Sequence, residues 1–272
     1  MRGHQSPPGP AAFATALAQL EADGGLDTDR AFWGKAVAES TGFTLAPDHP
    51  DAANREDDTR TIERILPADL TRALRTETRR RLGLALYPVL CGPLYQALAQ
   101  MAGGNKAVLS HRMTGRCTLG ALDVTESVGN FAVHFPLPLA TDHLDADDLC
   151  RAVAAQLASV PHAGASYDWF GKTLGDSAYP DDCLTPLRVN YLGVLPPDEH
   201  GVFRFAREHH NQRLAPPEQI RSAELELHLA VSDDRLSLRL SYAQARWDAA
   251  RLEALIDDYL RRLEALAKTP DA

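Results

Sequence analysis

The sequence has little cysteine, little positive charge, and no long apolar run. Cys91, Cys117, Cys150 and Cys183 lie at least 26 residues apart with no CxxC pair, so a zinc finger and a dense disulfide framework are both excluded, and free buried thiols in a reducing cytoplasm are expected. The 28 basic residues are outnumbered by 37 acidic ones, for a net charge of −9, and are scattered apart from Arg79-Arg80-Arg81 and Arg261-Arg262. That field does not suit a nucleic-acid groove. No stretch reaches 18 consecutive apolar residues, and "MRGHQSPPGP" lacks the apolar core of a signal peptide, so no membrane partner is expected. GxSxG, GxGxxG, Walker A and HExxH are likewise missing. Local motifs supply no complete catalytic constellation, and no metal site.

What is present is an ordinary globular composition. Hydrophobic residues make up 44% and charged residues 24% of 272, enough to bury a sizeable core in one large or two small domains. Residues 1–10, with Pro7, Pro8, Gly9 and Pro10, read as a tail or linker stub, and residues 269–272 as a second tail. Between them, "AAFATALAQLEA" and "TDRAFWGKAVAES" carry apolar residues at helical spacing. Residues 46–58 form a polar loop that leads to a strand, "TRTIERIL". Pro67 opens a helix reaching Leu82, and "LGLALYPVLCGPLYQALAQMAG" is a buried helix closed by Gly103-Gly104. "KAVLSHRMTGR" and "NFAVHFPLPL" alternate as strands, the second confined to an edge or a strand end by Pro136 and Pro138. In "AELELHLAVSDDRLSLRLSYA", Leu225, Leu227, Leu229 and Val231, then Leu236, Leu238, Leu240 and Tyr242, describe a hairpin with one buried face. A final helix follows, N-capped by Asp248, with Trp247 stapled onto Leu252. Helices and strands so mixed specify an α/β or α+β fold.

Individual polar residues leave two readings each. His209-His210 in "FAREHHNQRLAPPEQIR" suits a solvated loop better than a base. His111 and His134 are satisfied structural histidines or proton-transfer groups. Arg116 follows Gly115 at a strand end, where its guanidinium either reaches inward for a carboxylate or lies on the surface of a turn. In "RVNYLGVL", Gly193 cuts a strand short and permits a bend.

Taken in order, the pieces "RAFWGKAVAES", "LPADLTRAL", "MTGR", "VGNFAVHFPLPL" and "RVNYLGVL", followed by the hairpin and helix, resemble the second half of a condensation-type domain of nonribosomal peptide synthetases, epimerisation relatives included. The resemblance covers residues 11–268. It implies a chloramphenicol acetyltransferase-like lobe, with a mixed sheet packed by helices and a C-terminal hairpin plus helix. It further implies a tunnel lined by Gly115, Gly129, Asn130, Phe131, Asn190, Tyr191 and Gly193, serving substrates tethered to carrier-protein phosphopantetheine arms. No cofactor bound to the chain itself is implied. The family's HHxxxDG motif belongs to its other lobe, and "HHNQRLA" has Leu214 and Ala215 where Asp and Gly should stand. Arg116 would form a salt bridge to the aspartate of that motif. Cys117 and Asn130 depart from the epimerisation pattern while NYLG agrees with it, and "HAGASYDWF" fits neither branch, so peptide-bond formation and epimerisation both stay open. The expected function is part of a cytoplasmic condensation-type domain working with peptidyl carrier proteins and with a first lobe or another synthetase domain. A non-catalytic carrier-docking module and a decayed remnant are the alternatives.

Overall fold

The computed structural model describes residues 8–180, 186–195, 199–200, 203–204 and 216–268. The readings made for residues 1–7 and 269–272, for Cys183 and for His209-His210 lie outside these. In chain order the elements are α1 (Pro10–Ala22), α2 (Asp27–Ser40), β1 (Thr59–Ile65), α3 (Ala68–Arg72), α4 (Arg79–Leu82), α5 (Leu86–Met101), β2 (Lys106–Met113), β3 (Thr118–Leu119), β4 (Leu122–Asp123), β5 (Val133–Ala140), α6 (Ala146–Ser159), α7 (Ala165–Asp168), β6 (Leu187–Val194), β7 (Glu199–His200), β8 (Phe203–Arg204), β9 (Leu225–Ser232), β10 (Arg235–Ala243) and α8 (Ala249–Lys268).

Six strands make one mixed sheet in the order β1-β10-β9-β6-β2-β5. The central pairs β9/β6 and β6/β2 are parallel, and the outer pairs β1/β10, β10/β9 and β2/β5 are antiparallel. β5 is an edge strand, as its prolines require: Pro136 and Pro138 face Ser110 and Val108 of β2, and an edge position spares them a ladder on the other side. The hairpin forms in the expected register, with Leu227 opposite Leu240 and Leu229 opposite Leu238. Its leucines are all within 1% of full burial and join α5 and α8 in the larger core, where Leu90, Leu94, Leu98, Tyr259 and Leu263 are fully enclosed. A second core gathers Phe13 and Leu17 of α1, Trp33 of α2, and Tyr167 of α7 around Phe135 of β5. Trp33 packs 5.2 Å from the Phe135 ring and donates Nε1–H to Ser166 Oγ at 2.9 Å.

Several local expectations need correction. Pro67 is not the first helical residue: at φ −54°, ψ 146° it is still extended, and the helix starts at Ala68. The expected helix to Leu82 is not uniform either, because Ala73–Thr78 widens into π-type turns between α3 and α4. Its polar side is tied to neighbouring elements: Arg81 pairs with Asp147 of α6 and the Thr71 hydroxyl accepts from the Leu236 amide. Helix α1 begins at Pro10, inside the expected tail, where a missing N–H costs nothing. At the other end the Asp248 carbonyl takes the amides of Arg251 and Leu252, while its carboxylate reaches toward His49 at 3.2 Å.

Burial this uneven sets a mutational contrast. Leu227→Ala, in the enclosed core, should cost about 2–5 kcal/mol, whereas Ile65→Ala, on a side chain 65% exposed, should stay within about 0.5 kcal/mol of the parent. Urea denaturation of the two variants checks this, and equal costs would mean that the sheet's apolar face is misassigned.

Candidate functional site

Parallel strands leave a crevice beyond their carboxyl ends, where ligands of open α/β sheets commonly bind. Here the ends of β2 and β6 open onto a cavity of about 430 Å³. Arg112 and Met113 come from β2 and Thr114 follows it, while Asn190, Tyr191 and Leu192 come from β6; Ala132 before β5 and Tyr87 from the first turn of α5 complete the wall. Tyr87 and Tyr191 stack with ring planes 10° apart and centroids separated by 6.1 Å. The "NYLG" stretch thus forms one wall of the cavity, and its glycine has a specific task. Gly193 sits at φ +82°, a conformation that glycine adopts without strain, and the pairing of β6 with β9 slips between Tyr191 and Val194. The slip leaves Leu192 51% exposed at the cavity.

The two other motif segments are in direct backbone contact beside this cavity. A Cβ on Gly115, which has φ +64°, would stand 2.0 Å from the Phe131 carbonyl oxygen, so the "MTGR" turn closes against "VGNF" only because that atom is absent. Arg116 then donates to the carbonyls of Val124 (3.3 Å) and Gly129 (3.1 Å) and lies 4.6 Å over the Phe131 ring. Among the described residues it meets no carboxylate at ion-pair distance. Asn130 is exposed, and its Oδ1 accepts from the Ala132 amide. Phe131 is buried against Phe13 in an edge-on pair. Of the seven expected tunnel residues, Asn190 and Tyr191 line the cavity itself; Gly115, Gly129, Asn130 and Phe131 build the turn beside it, and Gly193 shapes the strand.

Tyr87, Arg112 and Ala132 lie outside the expected motifs, whereas Met113, Thr114 and Leu192 fall within "MTGR" and "NYLG" without being singled out there. Arg112 carried the one available signal, as a charged residue inside a strand that is otherwise mostly buried. In register across the sheet stand Arg112, Asn190, His228, Arg239 and Glu63, a polar row on the face opposite the hairpin's leucines. Glu226 Oε1 lies between Arg112 (3.8 Å) and His228 Nε2 (3.7 Å). Burial lowers the His228 pKa, against the opposing pull of Glu226. Burial also raises that of Tyr191, with Arg75 and Arg79 acting in the other direction.

His111 is the structural histidine of its two readings. It is fully buried, with Tyr87 Oη 2.7 Å from Nδ1 and Tyr95 Oη 2.8 Å from Nε2. Tyr95 gives its single proton to the Leu137 carbonyl at 2.9 Å, so toward the imidazole it can only accept. The proton is therefore on Nε2, and Nδ1 accepts from Tyr87. Desolvation pushes the His111 pKa down to about 3. The thiols of Cys117 and Cys150 are also unsuited to chemistry: burial pushes Cys150 up to about 12 and, with the nearby Asp29 charge, Cys117 up to about 11, where little nucleophilic thiolate forms. Among the described residues no cluster of His, Cys, Asp or Glu could hold a metal ion, and no single helix is long and apolar enough to cross a membrane.

This relay predicts a tautomer and a pH dependence. The His111 ring nitrogens should show the Nε2–H form and no titration between pH 7 and 5 by NMR. A midpoint near the ordinary value of about 6.5 would contradict the burial. The folded chain keeps this imidazole neutral while the unfolded chain takes up a proton near 6.5, so its contribution to stability is complete above that pH and is lost as pH falls toward 3. Tyr95→Phe, which leaves the Nε2 proton without an acceptor, should cost about 1–3 kcal/mol.

Comparison with known proteins adds to this geometry. The family described as "Condensation domain" matches residues 2–272. Bacitracin synthase 3 of Bacillus licheniformis is 25% identical over 260 residues, which are 94% of this chain and 4% of that protein. A linear gramicidin synthase of Brevibacillus parabrevis is 25% identical over 265 residues, 93% of this chain and 3% of that protein. Among solved structures, the epimerization domain from the third module of tyrocidine synthetase B superposes with a TM-score of 0.83 at 21% identity, covering 97% of this chain and 60% of that one. The condensation domain of the Monacolin K polyketide synthase superposes at 0.70 with 15% identity, covering 100% and 64%. The chain therefore spans under two thirds of each of these domains and a small part of the synthetases.

Proposed function

The chain belongs to the Condensation domain family, and on that premise we propose that it is the acceptor-side lobe of a condensation-type domain acting on carrier-bound aminoacyl or peptidyl thioesters, by peptide-bond formation or epimerisation. Its fold is the mixed-sheet, chloramphenicol acetyltransferase-like arrangement of that family. The observation that carries the reading is the meeting of the "MTGR" and "VGNF" segments next to a cavity walled by the "NYLG" strand. Three stretches well separated in sequence converge where a tethered substrate would be received.

In this reading the phosphopantetheine arm arrives on a peptidyl carrier protein in the cytoplasm, and the cavity receives the group it carries. Gly115, Gly129, Asn130 and Phe131 hold the rim, Asn190 and Tyr191 contact the substrate, and Gly193 sets the strand's exit. The HHxxxDG motif comes from a first lobe, on the same longer polypeptide or on a separate one. Arg116 supports this division of labour. Two carbonyls and an aromatic face hold its guanidinium in place, but neither neutralises it, so it is positioned for an anionic partner from outside the described residues.

Arg116→Ala should weaken association with an HHxxxDG-bearing first lobe by about 2–5 kcal/mol, the usual cost of truncating one partner of a hydrogen-bonded charge pair. Arg116→Lys should recover part of it. Calorimetry with a matching first lobe checks the pairing, and transfer or racemisation assays with loaded carrier proteins check the chemistry. Absence of both complex and product would abolish the reading.

A further inference from the structure

The cavity is mostly apolar in its walls and positive at its polar side, in a chain whose net charge is −9. Tyr87, Tyr191, Met113 and Leu192 offer aromatic and aliphatic surface. Against them stands Arg112, whose nearest acid, Glu226, is 3.8 Å away, too far for a direct hydrogen bond. Glu226 does not balance the charge of this part of the sheet. Arg188, two residues before Asn190 on the same strand, is buried to 5% exposure; among the described residues it bonds the hydroxyl and carbonyl of Ser222 alone, and its Nε has no hydrogen-bond partner. Arg188 stands across the ladder from Glu226 without reaching it at ion-pair distance, and His228 adds no counter-charge. Arg75 and Arg79 line a separate groove whose wall ends at Ala85, two residues before Tyr87, and add to the positive field at Tyr191. The Arg112 side chain is 37% exposed and meets Glu226 only at 3.8 Å, a weak pairing in partial contact with solvent; an incoming anion at hydrogen-bond distance would hold the guanidinium better.

We propose that this cavity binds a molecule with an apolar or aromatic body and a free carboxylate, with the carboxylate held by the guanidinium of Arg112 and the body packed against the stacked Tyr87–Tyr191 pair, Met113 and Leu192. A planar guanidinium suits a carboxylate bidentately, and the paired rings suit a flat or branched apolar group. The inference rests on the cavity being the substrate site and adds a selectivity to it. An aminoacyl thioester has its carboxyl carbon bound to sulfur and offers no anion there. Arg112 therefore favours a ligand that is not tethered through that group, or one with an acidic side chain.

The test is a calorimetric titration of the full chain with three probes: N-acetyl-L-phenylalanine, its primary amide, and the thioester of the same acid with pantetheine. The acid should bind about tenfold or more tighter than the amide, the difference expected of one charge-assisted pair, and added salt should reduce the gap. Arg112→Gln should remove the preference and Arg112→Lys should keep part of it, while Arg72→Gln, on the exposed side of α3, should leave it intact. Equal binding of acid and amide, no binding of the acid, or a preference that survives Arg112→Gln overturns the inference. If the thioester binds as tightly as the acid, the selectivity is wrong and the condensation reading survives. If the acid preference holds while neither the thioester nor a loaded carrier protein binds, the carrier-based reading fails and the carboxylate site stands.

Discussion

The buried relay from the Leu137 carbonyl through Tyr95 and His111 to Tyr87 connects the edge of the sheet to the wall of the cavity. It spans three elements: β5 supplies the acceptor, β2 the imidazole, and α5 both phenols. Each bond has one permitted direction, so the relay admits one tautomer and one placement of Tyr87. The relay lies in a medium where an unmade hydrogen bond costs more than a made one returns. It therefore contributes less to total stability than to uniqueness: α5 cannot slide along β2 without leaving a polar atom unpaired. Tyr87, and through it the stacked Tyr191, inherit that rigidity.

A sheet with two unlike faces follows from the same strands. The leucines of β9 and β10 make one face dry, and the row from Arg112 to Glu63 makes the other polar. Strand alternation alone produces such a division, but it does not say which charges will lack partners. That depends on the ends of the strands, where β2 turns sharply at Gly115 and β6 slips at Gly193. Both glycines occupy positive φ, and both changes of direction occur at the cavity. The site is thus located by the two places at which regular pairing stops.

The fold was legible where period and punctuation agreed. The Leu225–Tyr242 hairpin, the edge placement of β5 by Pro136 and Pro138, and the closure of α5 at Gly103 each follow from a local rule that no distant contact opposes. The segment from Pro67 to Leu82 was less legible, because Thr71 and Arg81 are committed to β10 and α6, and the chain between them widens to serve both. The site was half legible. Asn190, Tyr191 and the Gly115 turn stood out as short motifs, whereas Tyr87, Met113 and Leu192 look like any core residue until a parallel crossover sets β6 beside β2. Ala132 offers no sequence signal at all, since it contributes only a wall.

Arg116 and Arg112 illustrate two ways in which a guanidinium is held ready. Arg116 is saturated on two sides by carbonyl dipoles and an aromatic face, contacts that fix its direction while leaving its charge uncompensated. Arg112 is tethered only loosely, with a carboxylate just beyond bonding distance, so its direction can change when a better acceptor enters. The first arrangement suits a permanent partner such as a second lobe, because rigidity lowers the entropy lost on docking. The second suits a ligand that comes and goes, because Glu226 can take the guanidinium back at little cost once the cavity empties. Two arginines on either side of one turn would then divide the work between assembly and recognition, and the glycine between them is what lets them point to different tasks.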